Sequence, residues 1–195
     1  MMVYNEVDYW GNRKNPNSSD TKTTNKHINF IKNKILGKNK ILDFGPGVGR
    51  ILPAYSDSND ITGFDVSDNY KTIIVNSAIE LGLNFKLETN PTYNNILPYS
   101  DNTFESVVCV SVLLHQRPQN IIKILKELSR VGDEVNVVSW FEEGKSYDDT
   151  NINYNGNKYC FHYDYKKICE ENSLTIKEWK LHSDLKQVFF TYGKK

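Results

Sequence analysis

The chain has 195 residues, 38% of them hydrophobic and 25% charged, and its 24 basic side chains balance 24 acidic ones. That is enough chain for one α/β domain with a real core, and a neutral sum with pI near 6.9 disfavours nucleic acid, a polyanion that calls for a basic surface. No apolar run approaches the roughly eighteen residues of a membrane span, and the N-terminus lacks the basic start and apolar core of a signal peptide. The cysteines, Cys109, Cys160 and Cys169, have no metal-site spacing. The expectation is a single cytoplasmic domain over 1–195 with no membrane segment and no metal; oligomeric state is open.

In chain order, residues 1–22 form a polar leader carrying Tyr4, Tyr9 and Trp10. It is either a tail whose rings pack on the domain or a lid over a ligand. Thr23 or Thr24 is placed to cap a helix to about Leu36, with Ile28, Ile31 and Ile35 on one face and Gly37 as the stop. His27, near its start, reads as solvated. Ile41 and Leu42 open a short buried strand that closes at Asp43, and a short helix near 49–55 tolerates Pro53 only in its first turn or is broken there. A second strand, Ile61 to Phe64, ends at Asp65. Ser67 or Asp68 is placed to cap the next helix, which runs to about Leu81 before Gly82, and Asn84 to Glu88 suits a third strand.

Phe104 to Ser111 is a nearly continuous apolar run, the pattern of a central strand buried on both faces. Pro118 suits the first turn of a helix reaching Arg130, with Ile121, Ile124, Leu125 and Leu128 facing inward. Val135 to Phe141 is a fifth strand, and 142–160 is a polar, Asn- and Asp-rich loop. A helix near Tyr163–Asn172 and two strands near 174–181 and 186–192 follow. The short polar turn between those strands makes them an antiparallel pair. Alternating strands and helices with a terminal hairpin predict a doubly wound, mostly parallel sheet with one antiparallel strand.

The chemistry concentrates at Asp43-Phe44-Gly45-Pro46-Gly47-Val48-Gly49-Arg50. Glycines there permit positive φ and close approach of a ligand to backbone. A dinucleotide fingerprint, G-x-G-x-x-G, would need its third glycine where Arg50 stands, and a pyrophosphate would be repelled by Asp43. An ammonium or a ribose hydroxyl would be welcomed by it. No Gly-Lys-Ser/Thr follows, which excludes a Walker loop.

This glycine turn resembles motif I of the class I S-adenosylmethionine-dependent methyltransferases. Gly-Phe-Asp-Val-Ser at 63–67 is similar to the family's second motif, and Leu97 to Val108 to the segment leading into its fourth strand. The resemblance covers roughly 40–130. It implies seven strands in the order 3-2-1-4-5-7-6 and S-adenosylmethionine as cofactor, with S-adenosylhomocysteine as product. It further implies a cofactor site at Asp43, Gly45, Pro46, Gly47 and Gly49, with Asp65 on the ribose, Val66 on the adenine and Ser111 at the end of the fourth strand. The family's acid for the adenine amino group has no counterpart here; Asn94 or Asn95 offers a side-chain carbonyl instead. Tyr9 and Trp10 would close the site if the leader is a lid.

For catalysis the candidate is His115, just after the fourth strand. An imidazole's ordinary pKa near 6.5 suits a general base for a hydroxyl acceptor, although an amine needs none, and packing at the helix start is the competing role. Asn90-Pro91-Thr92-Tyr93 has the look of the signature of enzymes that methylate planar amino groups, but it precedes the fourth strand instead of following it. The expected partner is therefore a small molecule methylated on O or N, with the 142–160 loop available to select it. Two alternatives stay open: a silent protein that only holds the cofactor or a partner, and an RNA or protein methyltransferase needing a partner subunit.

Overall fold

The computed structural model describes residues 21–57, 59–143 and 160–195. The leader's Tyr9 and Trp10, and the 144–159 part of the polar loop, lie outside the described residues. Seven strands form one sheet: β1 Lys40–Phe44, β2 Asp60–Asp65, β3 Asn84–Thr89, β4 Ser106–Val110, β5 Val135–Trp140, β6 Leu174–His182 and β7 Gln187–Lys194. Their order is β3-β2-β1-β4-β5-β7-β6, as the family resemblance implies. All pairs up to β5 are parallel; β7 runs antiparallel to both β5 and β6.

Among the described residues the α-helices are α1 Thr21–Lys34, α2 Lys71–Glu80, α3 Pro118–Val131 and α4 Tyr165–Glu171. They divide between the two faces, and the strand period of two explains how. In β4, Val107 and Cys109 join one apolar layer while Val108 and Val110 join the other. The first layer takes Ile121, Ile124, Leu125 and Leu128 from α3 and Ile168 from α4. The second takes Ile31 and Ile35 from the α1 side, Leu52, and Ile74 and Ala78 from α2. A sheet covered on both faces needs nearly continuous apolar strands, and all five residues of β4 and all six of β5 are buried.

Both predicted helix caps shift, and at Pro53 the second of the two alternatives holds. Thr23 and Thr24 lie inside α1, whose described residues are Thr21–Lys34, and the helix ends at Lys34 with Gly37 in the left-handed region behind it. Between Gly49 and Tyr55 the chain makes only a 3-10 turn, Leu52–Ala54, because Pro53 has no N–H to continue a helix. α2 starts at Lys71 after Tyr70 without a side-chain cap. Ser67 Oγ is taken instead by the Asn69 N–H at 3.2 Å, and Asp68 accepts the Thr89 hydroxyl, so both side chains secure the preceding turn.

His27 corrects the sequence reading outright. It is 1% exposed, its Nε2 lies 2.8 Å from Gln187 Oε1, and its ring meets Phe189 edge-on. Burial is tolerable because β7 supplies the polar partner. Deeper in the sheet, Asn136 donates to Ser106 Oγ and accepts from Thr191 Oγ1, at 2.9 and 2.8 Å, which ties β4, β5 and β7 together.

Candidate functional site

β1 and β4 are neighbours, but the chain leaves β1 toward β2 and only later returns to build β4 on its other side. A crevice opens where the winding reverses, beyond the carboxyl ends of the strands. Here it is a pocket of about 550 Å³, within the range of small-molecule sites. Its floor is the glycine turn. Gly45, Gly47 and Gly49 have φ of +72°, +55° and +80°, a region costly for other residues. At Gly45 a Cβ would stand 2.5 Å from Val112 Cγ2, and at Gly49 2.8 Å from Leu52 Cδ1. At Gly47 it would meet nothing within 4 Å, so that residue faces open space.

Hydrogen bonds fix the turn to β2. The Gly45 N–H donates to the Phe64 carbonyl at 2.8 Å. Asp65 accepts the Gly47 N–H on Oδ2 at 3.1 Å and the Ser67 N–H on Oδ1 at 3.0 Å. Burial raises the Asp65 pKa, and these backbone donors, with that of Val66, oppose the rise. Asp43, 3% exposed, is pushed up to about 7, chiefly by burial; the Tyr55 hydroxyl opposes the rise and the charge of Asp65 adds to it. Two carboxylates largely withdrawn from water beside one glycine turn suit a ligand carrying hydroxyls and a cation.

The structure brings together Asp43, Gly45, Pro46, Gly47, Asp65, Val66, Asn94, Asn95, Ser111 and His115, all of which line this pocket. Gly49 does not line it; it packs under the turn against Leu52 and Ile74, where only hydrogen fits. Ser111 and Asn95 both hold positive φ, at +60° and +70°, and for non-glycine residues such strain collects at functional sites. The Ser111 N–H is held by the Val138 carbonyl at 2.8 Å. His115 sits in a 3-10 turn, Leu113–His115, with its Nδ1 3.8 Å from Cys160 Sγ.

Arg50, Tyr70, Tyr93, Gln116, Arg117 and Asn120 also line the pocket and were not singled out as site residues by sequence. Tyr93 packs edge-on to Phe64 at 5.3 Å, and burial raises its pKa. A local signal existed for two of them: Arg50 replaces the expected glycine, and Arg117 immediately precedes the proline that starts α3. The wall carrying Asn94 and Asn95 leads into Leu97–Asp101, which is clamped from α3. Glu127 accepts the Leu97 N–H at 2.6 Å, and Arg130 donates to the Leu97 and Tyr99 carbonyls and to Asp101 and Glu127.

Strand order, glycine turn and switch-point pocket together define the class I methyltransferase fold. Residues 41–133 match the family model described as a methyltransferase domain. The phosphatidylethanolamine N-methyltransferase of Cereibacter sphaeroides is 28% identical over 107 residues, covering 54% of this chain and 53% of that protein. The chain thus spans about half the length of this curated relative. Among solved structures, magnesium protoporphyrin IX methyltransferase from Synechocystis with bound S-adenosylhomocysteine superposes with a TM-score of 0.70 at 15% identity, over 96% of this chain and 94% of its own. The [4+2]-cyclase SpnF gives 0.70 at 17% identity, over 92% and 84%. At such identities these structures speak for the fold alone.

Proposed function

We propose that this chain transfers the methyl group of S-adenosylmethionine to an oxygen or nitrogen atom of a small-molecule acceptor. The observation that carries the reading is the join of Asp65 to Gly47 at the switch point, in a pocket large enough for a nucleoside and a second small molecule. The site residues fit the cofactor: Asp65 would take the ribose hydroxyls, Val66 would pack on the adenine, and Asn94 or Asn95 would accept its amino group. The glycine turn and Asp43 would hold the amino-acid end, and Gly47, with open space at its Cβ position, leaves room for it. When bound, the cofactor supplies a sulfonium methyl group; the carbon–sulfur pair stays on sulfur while the acceptor's lone pair forms the new bond, and any acceptor proton passes to a base or water.

For its part the chain aligns two reactants and excludes water. Such alignment is worth about 7–11 kcal/mol in favourable cases, so little further chemistry is demanded of the protein. His115 stands at the pocket wall as the group able to receive a proton. The fold's occurrence in a [4+2]-cyclase supports a second reading, in which the pocket holds the cofactor without transferring its methyl group. Calorimetry with S-adenosylhomocysteine, then incubation of radiolabelled cofactor with a metabolite extract of the source cell, separates them. Binding with a labelled product supports transfer, binding without one supports the second reading, and absence of binding removes both.

A further inference from the structure

β3 ends the sheet and, among the described strands, pairs with β2 alone, so one side of its backbone is open. One bond fixes which residues face that side. The Asn90 N–H, just past the strand, reaches the Asp65 carbonyl at the end of β2 at 2.9 Å. The even-numbered residues of β3 therefore turn their N–H and C=O toward β2, and alternation aims those of Phe85, Leu87 and Thr89 outward. The Phe85 N–H turns back on the Leu83 carbonyl at 3.1 Å. The remaining outward groups are the row that an edge strand offers to another chain. Apolar side chains accompany them. Phe85 and Leu87 are only partly buried against the second apolar layer, and Ile79 and Leu81, where α2 leads into β3, are 69% and 48% exposed.

On the opposite face of β3, Lys86 and Glu88 form an exposed ion pair at 2.9 Å. Charge on an edge strand ordinarily keeps other strands away. Here its order is self-complementary. Two copies of β3 related by a twofold axis can pair antiparallel only where outward-facing residues oppose each other. Centred on Lys86, the pairing sets lysine against lysine; centred on Glu88, it sets glutamate against glutamate. Centred on Phe85, it spends Glu88 on Gly82, and centred on Thr89 it sets Leu87 against Pro91, which has no N–H. Centred on Leu87, Lys86 of each copy faces Glu88 of the other. Those two positions are the closely spaced, non-hydrogen-bonded ones, where opposite charges attract most across a sheet. Leu87 then exchanges both backbone bonds with its counterpart, and Phe85 faces Thr89.

We propose that two copies of this chain join their β3 strands antiparallel about a twofold axis at Leu87, uniting two seven-stranded sheets into one. The joint covers the open backbone groups and carries a ring of alternating charge, Lys86 and Glu88 from each copy. Its last facing positions are Asn90 and the second copy's Asn84, and the pocket wall begins one residue later at Pro91. The joint thus stands beside the wall that carries Asn94 and Asn95. It does not depend on the methyltransferase reading.

Sedimentation velocity of the whole chain should show a concentration-dependent species of twice 22.6 kDa. A single chain throughout the micromolar range overturns the proposal. Lys86→Glu and Glu88→Lys each set like charges opposite one another twice per dimer, so each variant alone should raise the dissociation constant roughly ten- to a hundredfold. Mixed in equal amounts, the two variants restore opposite charges at every facing position, and the mixture should dimerise more tightly than either component. Single variants as dimeric as the wild type, or a mixture no tighter than its parts, overturns the proposal. Glu88 also accepts the Tyr99 hydroxyl at 2.7 Å, so each variant is first melted by circular dichroism. If Glu88→Lys does not fold, hydrogen exchange of the wild type decides. The Leu87 amide should gain protection as the dimer forms, and exchange there that is indifferent to concentration rejects the β3 joint.

Discussion

Asp65 Oδ2 accepts the backbone N–H of Gly47 at 3.1 Å, joining the end of β2 to the middle of the glycine turn. A single carboxylate thus shapes the turn and, in the proposed function, meets the ribose. Its other oxygen is held by the Ser67 N–H, so the group is oriented before any ligand arrives. Pre-orientation of this kind lowers the ordering cost of binding.

Asp65→Ala should therefore weaken binding of S-adenosylhomocysteine by roughly ten- to a hundredfold, the loss of about 1.5–3 kcal/mol for hydrogen bonds to a charged acceptor. Isothermal titration calorimetry measures it directly. Unchanged affinity would remove Asp65 from the cofactor site.

Asp43 gives a prediction in pH. Burial holds its pKa at about 7, above the ordinary 3.8 of the unfolded chain. Between those values the native state keeps a proton that the unfolded state has released, so stability falls as pH rises through this window. Asp43→Asn should flatten that slope in denaturant titrations run from pH 4 to 7. In the proposed function the cofactor's ammonium favours the ionised carboxylate. At pH 7 the wild type should then release about half a proton more on binding than Asp43→Asn, read from calorimetry in buffers of different ionisation enthalpy. Equal proton release would place the cation elsewhere.

Much of this was legible locally. Periodicity located the strands and helices because each buries an apolar face of the matching period, as Val107 to Val110 and Ile121 to Leu128 show. The glycine turn was legible because positive φ leaves few residue choices. What stayed hidden depends on partners distant in sequence. His27 reads as an exposed helical histidine until β7 brings Gln187, 160 residues away, to its Nε2. The clamp of Arg130 on the Leu97 and Tyr99 carbonyls carries no sequence pattern, since backbone acceptors look alike in every residue. Arg50 and Arg117 converge only because the strand order places the segments after β1 and β4 side by side.

Two glycines of the same turn should respond differently to alanine. At Gly45 the new methyl would both carry the cost of positive φ and drive into Val112, so Gly45→Ala should lower the melting temperature and abolish cofactor binding together. Gly47→Ala meets no atom within 4 Å and pays only the left-handed backbone cost, about 1–2 kcal/mol. It should stay folded while losing S-adenosylhomocysteine affinity, because its methyl enters the pocket lining. Thermal unfolding paired with calorimetry separates the two; equal melting temperatures would contradict the Val112 contact.

His115 is the residue on which general-base chemistry and plain packing make opposite predictions. It is 9% exposed, lines the pocket, and has its Nδ1 turned toward Cys160 Sγ. If its remaining nitrogen receives the acceptor's proton, His115→Gln should reduce kcat by about 10²–10⁴, the usual worth of a positioned base. S-adenosylhomocysteine affinity should be untouched, since no cofactor contact is assigned to the ring. The pH–rate profile supplies a readout that packing would not move: its acidic limb should vanish in His115→Gln and persist in Cys160→Ser. An amine acceptor that loses its proton before reaching the site needs no base, and kcat would then drop only a few-fold. A full drop in kcat with the acidic limb unchanged would make His115 a packing residue and leave water to take the proton.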